Sequence, residues 1–314
     1  MAGWIDKVFE LTPIEEHAGM YFKREDKFCP KGLFHINGSK FRQCLYLVDR
    51  WVREKGIKGV VSGSVSQSPQ HVFISEICKH YGIGCVIVHS KKEPKKSSYL
   101  NVAIENGSKL VWNNVGYAQT LGSKAKQLLS KLPNHAYLET NITLDERFNS
   151  WDDIEKFHRI GAEQVKNIPS HIERLIIPCG SCNSVTSILY GLVLFPKPNI
   201  KEIVLMGIGN NGSNNIGYVE TRLKHICKLK GIPIDDVFGF SFLSDDNARH
   251  KLEHVNLNGT GFCKYTDEMK EFAGQIEFHP RYEGKCIRYL KKNLKEYWNQ
   301  KSLFWVVGSD MKFK

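Results

Sequence analysis

Short apolar runs alternate with amphipathic segments of helical length through the middle of the chain. The run Gly59-Val60-Val61-Ser62 has the composition of a buried strand, and an amphipathic segment follows it. An alternation of strand and helix signals predicts a parallel sheet with helices on both faces. In chain order the predicted elements are strand 59–62, helix 71–80, strand 85–88, helix 97–105, strand 109–112 and helix 118–131.

The same alternation restarts after Trp151. Here the predicted elements are helix 154–165, strand 174–177, helix 185–194, strand 203–206, helix 219–229 and strand 303–307. The two stretches together predict an α/β fold with two doubly wound domains and mainly parallel sheets. Ligands of such folds bind beyond the carboxyl ends of the strands.

Length and charge add two expectations. A chain of 314 residues is too long for one compact core, so two domains are expected. The net charge of +11 permits a polyanionic partner. Two basic clusters contribute to it, one at 91–96 and one at Arg288, Lys291, Lys292 and Lys295, the latter spaced as on one helix face. The alternative for both clusters is a solvated, solubilising surface.

Cysteine usage and hydropathy indicate an intracellular protein. Nine cysteines are scattered, several of them in apolar stretches, as expected of reduced thiols rather than a disulfide framework. Cys179 and Cys182 form a C-x-x-C pair without a second pair at zinc-site spacing, so no metal site is expected. No apolar stretch reaches membrane-spanning length and the N-terminus lacks a signal-peptide core, which makes the cytoplasm the expected compartment.

Lys40 follows an Asn37-Gly38-Ser39 turn and stands at the start of a predicted amphipathic helix. The apolar positions of that helix are Phe41, Leu45, Val48, Trp51 and Val52. A primary amine held at a helix start is well placed to form a Schiff base with a carbonyl cofactor. Taken alone, the segment favours the simpler alternative, a solvated lysine in a first helical turn.

A small-residue loop, Pro178 to Ser184, follows the predicted strand 174–177 and precedes a helix. Backbone N–H groups of such a loop can converge on an anion, and the helix dipole adds to the attraction. The hydroxyl of Ser184 could add a donor. The loop therefore predicts a phosphate-binding site, with a redox C-x-x-C as the alternative.

Two further segments carry weaker signals. Tyr282 and Glu283 precede a helix, and a buried glutamate there could hold a proton on a ring nitrogen; an ordinary polar loop is the alternative. The serine-rich loop after strand 59–62 offers Ser64, Ser66 and Ser68 at another helix start. A carboxylate or ring oxygen could dock there, although simple helix capping needs only one serine.

The order and spacing of these four segments resemble the pyridoxal-phosphate (PLP) enzymes of fold type II, the tryptophan synthase β-chain-like group. The nearest resemblance is to the branch of 1-aminocyclopropane-1-carboxylate deaminase and D-cysteine desulfhydrase. Thr12-Pro13 and the segment from Tyr21 to Asp26 match the opening signature of that fold. The resemblance spans the chain from Thr12 to Gly308.

The resemblance implies a role for each matching residue. Lys40 matches the Schiff-base lysine, and Tyr282 and Glu283 match the pair beside the pyridine nitrogen; these three are the predicted catalytic residues. It also implies a discontinuous PLP-binding domain (1–44 and 141–314), a small α/β domain (45–140) and the cofactor in the cleft between them. The other predicted cofactor contacts are Gln67, Gly180, Ser181, Cys182, Asn183, Ser184, Gly308 and Ser309.

The chain departs from the family pattern at two places. Relatives usually have glycines where Cys182 and Asn183 stand, which predicts a sterically tighter phosphate loop. Gln67 takes the place of a usual asparagine beside the substrate carboxylate, and Pro69 has no N–H to donate. The usual grip on a free carboxylate is therefore weakened. The predicted substrate contacts are Ser64, Ser66, Gln67 and Ser68.

A weakened carboxylate site and a basic surface suggest an unusual substrate. Some phage-encoded members of this fold decarboxylate an amino acid attached to thymine in DNA, and this chain is similar in kind. The resemblance implies a PLP-dependent lyase, with DNA carrying an aminoacyl base as substrate and the host cytoplasm as compartment. The alternatives are a deaminase or desulfhydrase of a free small amino acid, and a non-catalytic nucleic-acid-binding relative. A homodimer is expected by analogy with the fold.

Overall fold

The computed structural model describes residues 4–30, 36–66, 68–139, 150–208, 214–234, 237–238 and 248–308. These residues form two compact units. The small unit comprises the described residues of 1–8 and 41–157, and the large unit those of 9–40 and 158–310. The predicted domain limits at 44–45 and 140–141 remain a prediction; the division between the units falls inside two helices, α1 (Ser39–Lys55) and α5 (Trp151–Ala162).

The small unit is built on a four-stranded parallel sheet in the order β5-β4-β3-β6. Its strands are β3 (Gly59–Gly63), β4 (Gly84–His89), β5 (Lys109–Trp112) and β6 (His135–Leu138). The crossover helices are α2 (Gln70–Tyr81), α3 (Ser98–Glu105) and α4 (Ala118–Leu129). Val61, Val88, Leu121 and Tyr137 belong to its apolar core. Every residue of β3 is buried, as expected of an inner parallel strand.

The large unit is built on a six-stranded sheet in the order β1-β2-β12-β7-β8-β9. Its strands are β1 (Ile14–His17), β2 (Met20–Arg24), β7 (Arg174–Cys179), β8 (Glu202–Gly207), β9 (Lys251–Asn256) and β12 (Ser302–Val306). β1 and β2 form an antiparallel hairpin, whereas the other neighbours run parallel. β7, β8 and β12 are almost entirely buried because helices and loops cover both of their faces.

The helices of the large unit follow the strands in crossover order. They are α6 (Asn183–Leu194), α7 (Asn214–Leu229) and α8 (Glu283–Asn293), and a short hairpin, β10 (Phe272–Ala273) with β11 (Ile276–Glu277), precedes α8. Ile287 and Leu290 on α8 pack with Phe304 of β12 into one apolar core. Lys295 lies beyond the end of α8, so the predicted single helix face for the second basic cluster is wrong for this residue.

The predicted α/β class with mainly parallel sheets is confirmed. Each element predicted in the two alternating stretches overlaps an observed one. The strands without a prediction are β1, β2, β6, β9 and the short β10–β11 hairpin. β1, β6 and β9 lie at sheet edges, where one side of the strand faces solvent and a continuous apolar run is not required.

All nine cysteines carry free thiols. Within the described ranges, no helix combines the length and apolar character that crossing a bilayer requires.

Candidate active site

Lys40 is the second residue of α1, and the turn before it is held against the end of β12. The Gly38 N–H donates to the Phe28 carbonyl oxygen at 3.1 Å. Gly38 has a φ of +97°, and a Cβ at this position would lie 2.6 Å from the Val307 carbonyl oxygen. Only glycine satisfies both the left-handed conformation and the close approach. The turn therefore fixes the start of the Lys40 helix relative to β12.

Ser39 joins this turn to the predicted phosphate loop. Its N–H donates to the Val307 carbonyl oxygen at 2.9 Å. Its hydroxyl lies 3.0 Å from the hydroxyl of Ser184, in the first turn of α6. Two segments far apart in sequence thus meet one residue away from Lys40.

The predicted phosphate loop connects β7 to α6. Gly180 and Ser181 are half-buried, and Cys182 adopts a left-handed conformation with φ of +65° at the N-terminus of α6. That conformation costs a non-glycine residue about 1 kcal/mol. The amides of the first turn of α6 have no partners within the helix and can bind an anion.

The redox alternative for this loop is disfavoured. The sulfur atoms of Cys179 and Cys182 lie 2.9 Å apart and both residues are buried. The hydrogen bond with Cys179, together with burial, raises the pKa of the Cys182 thiol well above its usual range. Redox motifs need a sulfur that is exposed enough for a substrate to reach it. The two cysteines are therefore arranged as a packed element of the loop.

Glu283 is the first residue of α8 and is almost completely buried. Its Oε1 accepts hydrogen bonds from the N–H groups of Val307 and Gly308, both at 3.2 Å. Burial raises the pKa of this carboxyl to about 8, although these amides favour the charged form. The other oxygen, Oε2, is buried and has no hydrogen-bond partner among the described residues. One carboxyl oxygen is thus fixed and the other is open to a ligand.

Tyr282 contacts His279 beside Glu283, and Gly284 and Lys285 hold the neighbouring chain in place. Tyr282 is half-buried, and its ring lies 4.6 Å from the His279 ring between centroids. A Cβ at Gly284 would overlap the Met269 carbonyl oxygen, so glycine is required there. The Nζ of Lys285 is bound by the carbonyl oxygens of Lys264 and Tyr265, at 2.8 and 2.7 Å. Lys285 therefore anchors the loop that precedes β10.

The serine-rich loop follows β3 in the small unit. Its Ser64 N–H donates to the Val88 carbonyl oxygen at 3.2 Å, and the Ser97 hydroxyl donates to the Ser66 carbonyl oxygen at 2.8 Å. The hydroxyls of Ser64 and Ser66 are buried and have no partner among the described residues. Ser68 instead accepts a weak bond from the Gln70 N–H at 3.4 Å. The contact with the start of α2 therefore accounts for Ser68, whereas the hydroxyls of Ser64 and Ser66 could still bind a ligand.

His71 is a buried residue beside this loop that sequence reasoning did not select. Its Nε2 lies 2.9 Å from the Val65 carbonyl oxygen, so Nε2 carries the proton in this arrangement. Burial lowers the pKa of the imidazole to about 4, which keeps it neutral. Its Nδ1 has no partner within the described part of the chain. The sequence signal was weak, because a histidine early in a helix has many ordinary roles.

The structure brings most of the predicted cofactor contacts together in the large unit. Lys40, the 180–184 loop, Glu283 and Gly308 are linked through Ser39 and the backbone of Val307. Val307 was missed because its contacts are made by the backbone. Gln67 and Ser309 lie outside the described residues. No group of three or more metal-ligating side chains occurs among the residues that the structure describes.

Comparison with known proteins defines the family. No protein-family model matches the chain. The chain is 34% identical, over an alignment of 355 residues, to the O-seryl-dTMP PLP-dependent decarboxylase of Salmonella phage ViI, covering 98% of this chain and 83% of the phage protein. The chain belongs to the family of this phage decarboxylase. The predicted resemblance to phage members of the fold is thereby confirmed.

Solved structures confirm the fold of this family member. An ACC deaminase homologue matches with a TM-score of 0.69 at 18% identity, over 98% of this chain and 95% of the other. Threonine deaminase isoform 2 of Solanum lycopersicum matches with a TM-score of 0.61 at 16% identity, over 99% and 88%. A pyridoxal 5'-phosphate-dependent aspartate racemase matches with a TM-score of 0.58 at 14% identity, over 99% and 95%. These neighbours carry the predicted fold type II.

Proposed function

We propose that this protein is a PLP-dependent decarboxylase acting on an amino acid attached to thymine in phage DNA. In the overall reaction the bond between Cα and the carboxyl carbon breaks, carbon dioxide leaves, and Cα takes up a proton. The observation that carries the proposal is the 34% identity, over almost the whole chain, to a phage enzyme whose name gives this chemistry.

The buried carboxyl of Glu283 in the large unit suits the pyridine ring of PLP. The open Oε2 of Glu283 suits a polar ring atom, because a buried oxygen without a partner costs about 1–3 kcal/mol. We assign this oxygen to the pyridine nitrogen. When bound, the cofactor supplies an electron sink for the electrons of the broken bond.

We assign the remaining cofactor contacts from the same unit. The residues Gly180, Ser181, Cys182, Asn183 and Ser184 would hold the phosphate through loop amides, the N-terminus of α6 and the Ser184 hydroxyl. Lys40 would bind the cofactor carbonyl carbon covalently and move a proton at Cα. Tyr282, Gly308, Ser309 and Gln67 complete the proposed set.

The substrate contacts remain a proposal on the small unit. Ser64 and Ser66 have open hydroxyls, and we assign them, with Gln67 and Ser68, to the polar atoms of the aminoacyl group. A polymeric substrate would place the enzyme in the cytoplasm of the infected host. The homodimer remains a prediction.

The test is a product assay on purified protein supplied with PLP. A thymidine nucleotide carrying O-linked serine should lose carbon dioxide and keep its amine, as read by mass spectrometry. Release of ammonia from a free small amino acid, without reaction on the nucleotide, would instead support the deaminase alternative. Failure on both substrates, with DNA binding retained, would support the non-catalytic one.

A further inference from the structure

The two basic clusters of the chain differ in how their charge is used. On α8, Arg288 and Lys291 both form ion pairs with Glu271, at 2.7 and 2.9 Å. In the loop between β4 and α3, only Lys96 is paired, with Glu93 at 2.6 Å. The exposed lysines of that loop without an ion pair to any described residue are Lys91, Lys92 and Lys95. In the second cluster, Lys292 and Lys295 likewise have no ion pair to a described residue, so the β4–α3 loop presents three unpaired lysines and the second cluster two.

The β4–α3 loop lies at the carboxyl edge of the small sheet, beside the serine-rich loop. It begins after His89, the last residue of β4, and ends at Ser97. The Ser97 hydroxyl donates to the Ser66 carbonyl oxygen at 2.8 Å. One end of the basic loop is thus fixed to the loop that carries the open hydroxyls of Ser64 and Ser66.

Exposed aromatic side chains flank the other side of this loop. The Asn113 N–H, just after β5, donates to the His89 carbonyl oxygen at 2.8 Å. A Cβ on Gly116 would lie 2.8 Å from the Ser90 hydroxyl, so the two segments are in contact immediately before Lys91 and Tyr117. Tyr117 is 78% exposed and Trp112, at the end of β5, is 54% exposed. Large aromatic groups held in water next to unpaired lysines have no role in the core of the small unit.

We propose that the carboxyl edge of the small sheet, formed by Lys91, Lys92, Lys95, Trp112 and Tyr117, binds the DNA strand that carries the modified base. The lysines contact backbone phosphates, and the aromatic side chains stack on bases beside the modified one. Phosphate contacts position a strand without reading its sequence, which suits an enzyme that selects its target by the modification. The inference rests on the proposed function, because it takes the substrate to be polymeric DNA.

The affinity test compares the loss of three lysines from the proposed surface with the loss of three exposed lysines from the large unit. The variant Lys91→Gln/Lys92→Gln/Lys95→Gln is compared with a matched control, Lys228→Gln/Lys292→Gln/Lys295→Gln, whose lysines are also exposed. Binding of a fluorescent single-stranded oligonucleotide is measured by anisotropy across a salt series. The first variant should reduce the slope of log K against log salt by roughly 2, since each lost phosphate contact on a single strand removes about 0.7. The control should keep the wild-type slope.

A second substitution tests stacking separately from charge. Tyr117→Ala should weaken binding by about 5- to 100-fold without changing the salt slope, and Tyr117→Phe should restore it. An unchanged affinity in Tyr117→Ala, or an equal slope change in the two triple variants, would overturn the proposed surface.

The activity assay distinguishes this inference from the proposed function. Both triple variants should decarboxylate the seryl mononucleotide at the wild-type rate, because no substituted lysine belongs to the proposed cofactor or aminoacyl contacts. Wild type that fails on the mononucleotide and on modified DNA would contradict the proposed function. If wild type decarboxylates its substrates but the Lys91→Gln/Lys92→Gln/Lys95→Gln variant binds DNA as tightly as wild type, only the proposed DNA-binding surface is contradicted.

Discussion

The two strand-to-helix loops, after β7 in the large unit and after β3 in the small unit, look alike in sequence but differ in how their polar groups are used. Both follow a buried parallel strand and begin a helix. In the large unit, Ser184 is bound to Ser39. In the small unit, the hydroxyls of Ser64 and Ser66 have no partner among the described residues. The Ser184 hydroxyl is thus held by the protein itself, whereas the hydroxyls of Ser64 and Ser66 are left for the aminoacyl group in the proposed function.

Glu283 in the large unit and His71 in the small unit are buried titratable groups held in their neutral form. Burial raises the pKa of Glu283 to about 8 and lowers that of His71 to about 4, so neither carries charge near neutral pH. Each retains one atom without a partner in the described chain, Oε2 and Nδ1 respectively. A cationic ligand beside Glu283 would stabilise its carboxylate and lower its pKa, and a hydrogen-bond donor beside His71 would find a neutral acceptor in Nδ1. The comparison agrees with our proposal that the large unit contacts the cofactor and the small unit the aminoacyl group.

The largest expected effect is in the large unit. Lys40→Ala should reduce decarboxylation by on the order of a thousandfold or more, because the covalent attachment and the proton carrier are both lost. The visible absorbance of lysine-bound cofactor should disappear in the same variant. Lys40→Arg keeps the charge and should fail equally. Retention of the bound-cofactor spectrum in both variants would remove Lys40 from its proposed role.

A smaller effect concerns the stability of the cofactor-free protein. The folded-state pKa of Glu283, about 8, lies above the unfolded value of 4.5, so the folded state holds this proton more tightly. The contribution of Glu283 to stability is therefore present at low pH and is lost as pH rises through 8. Between pH 4.5 and 8 the free energy of unfolding should fall by up to about 1.4 kcal/mol per pH unit as pH rises.

Glu283→Gln tests this dependence, because the amide does not titrate. Urea unfolding at several pH values between 5 and 8 should show a flatter profile for the variant than for wild type. Parallel profiles would mean that Glu283 titrates at its ordinary pKa and that its burial is not maintained in solution.

The smallest expected effect is in the small unit. Ser66→Ala should raise KM about 5-fold, the loss of one ordinary hydrogen bond to the substrate, and should leave the cofactor spectrum unchanged. Ser75→Ala is the matched control, because the buried Ser75 hydroxyl already donates to the Val72 carbonyl oxygen and belongs to no proposed contact, so its loss should alter stability rather than KM. A lowered cofactor affinity in Ser66→Ala would show that the two units do not divide the work as proposed.

Much of the fold could be predicted because inner parallel strands need continuous apolar runs. Strands such as β3 and β7 are therefore visible in sequence, whereas β6 and β9 at the edges are not. Lys40 and Glu283 could be selected because side-chain chemistry and order along the chain both point to them. Val307 could not, since any residue supplies the same N–H and carbonyl groups. The ion pairs of Arg288 and Lys291 with Glu271 also depend on tertiary contacts that helical spacing does not reveal.

The contact between Ser39 and Val307 has a consequence for synthesis of the protein. These residues stand 268 positions apart, yet the carbonyl oxygen of Val307 holds the turn that presents Lys40. The same stretch of backbone supplies both amide donors to Glu283. On the ribosome, the Lys40 helix emerges early but cannot be held in its final position until β12 has left the exit tunnel. The turn that presents Lys40, the proposed Schiff-base residue, is thus completed only after β12 has been synthesised.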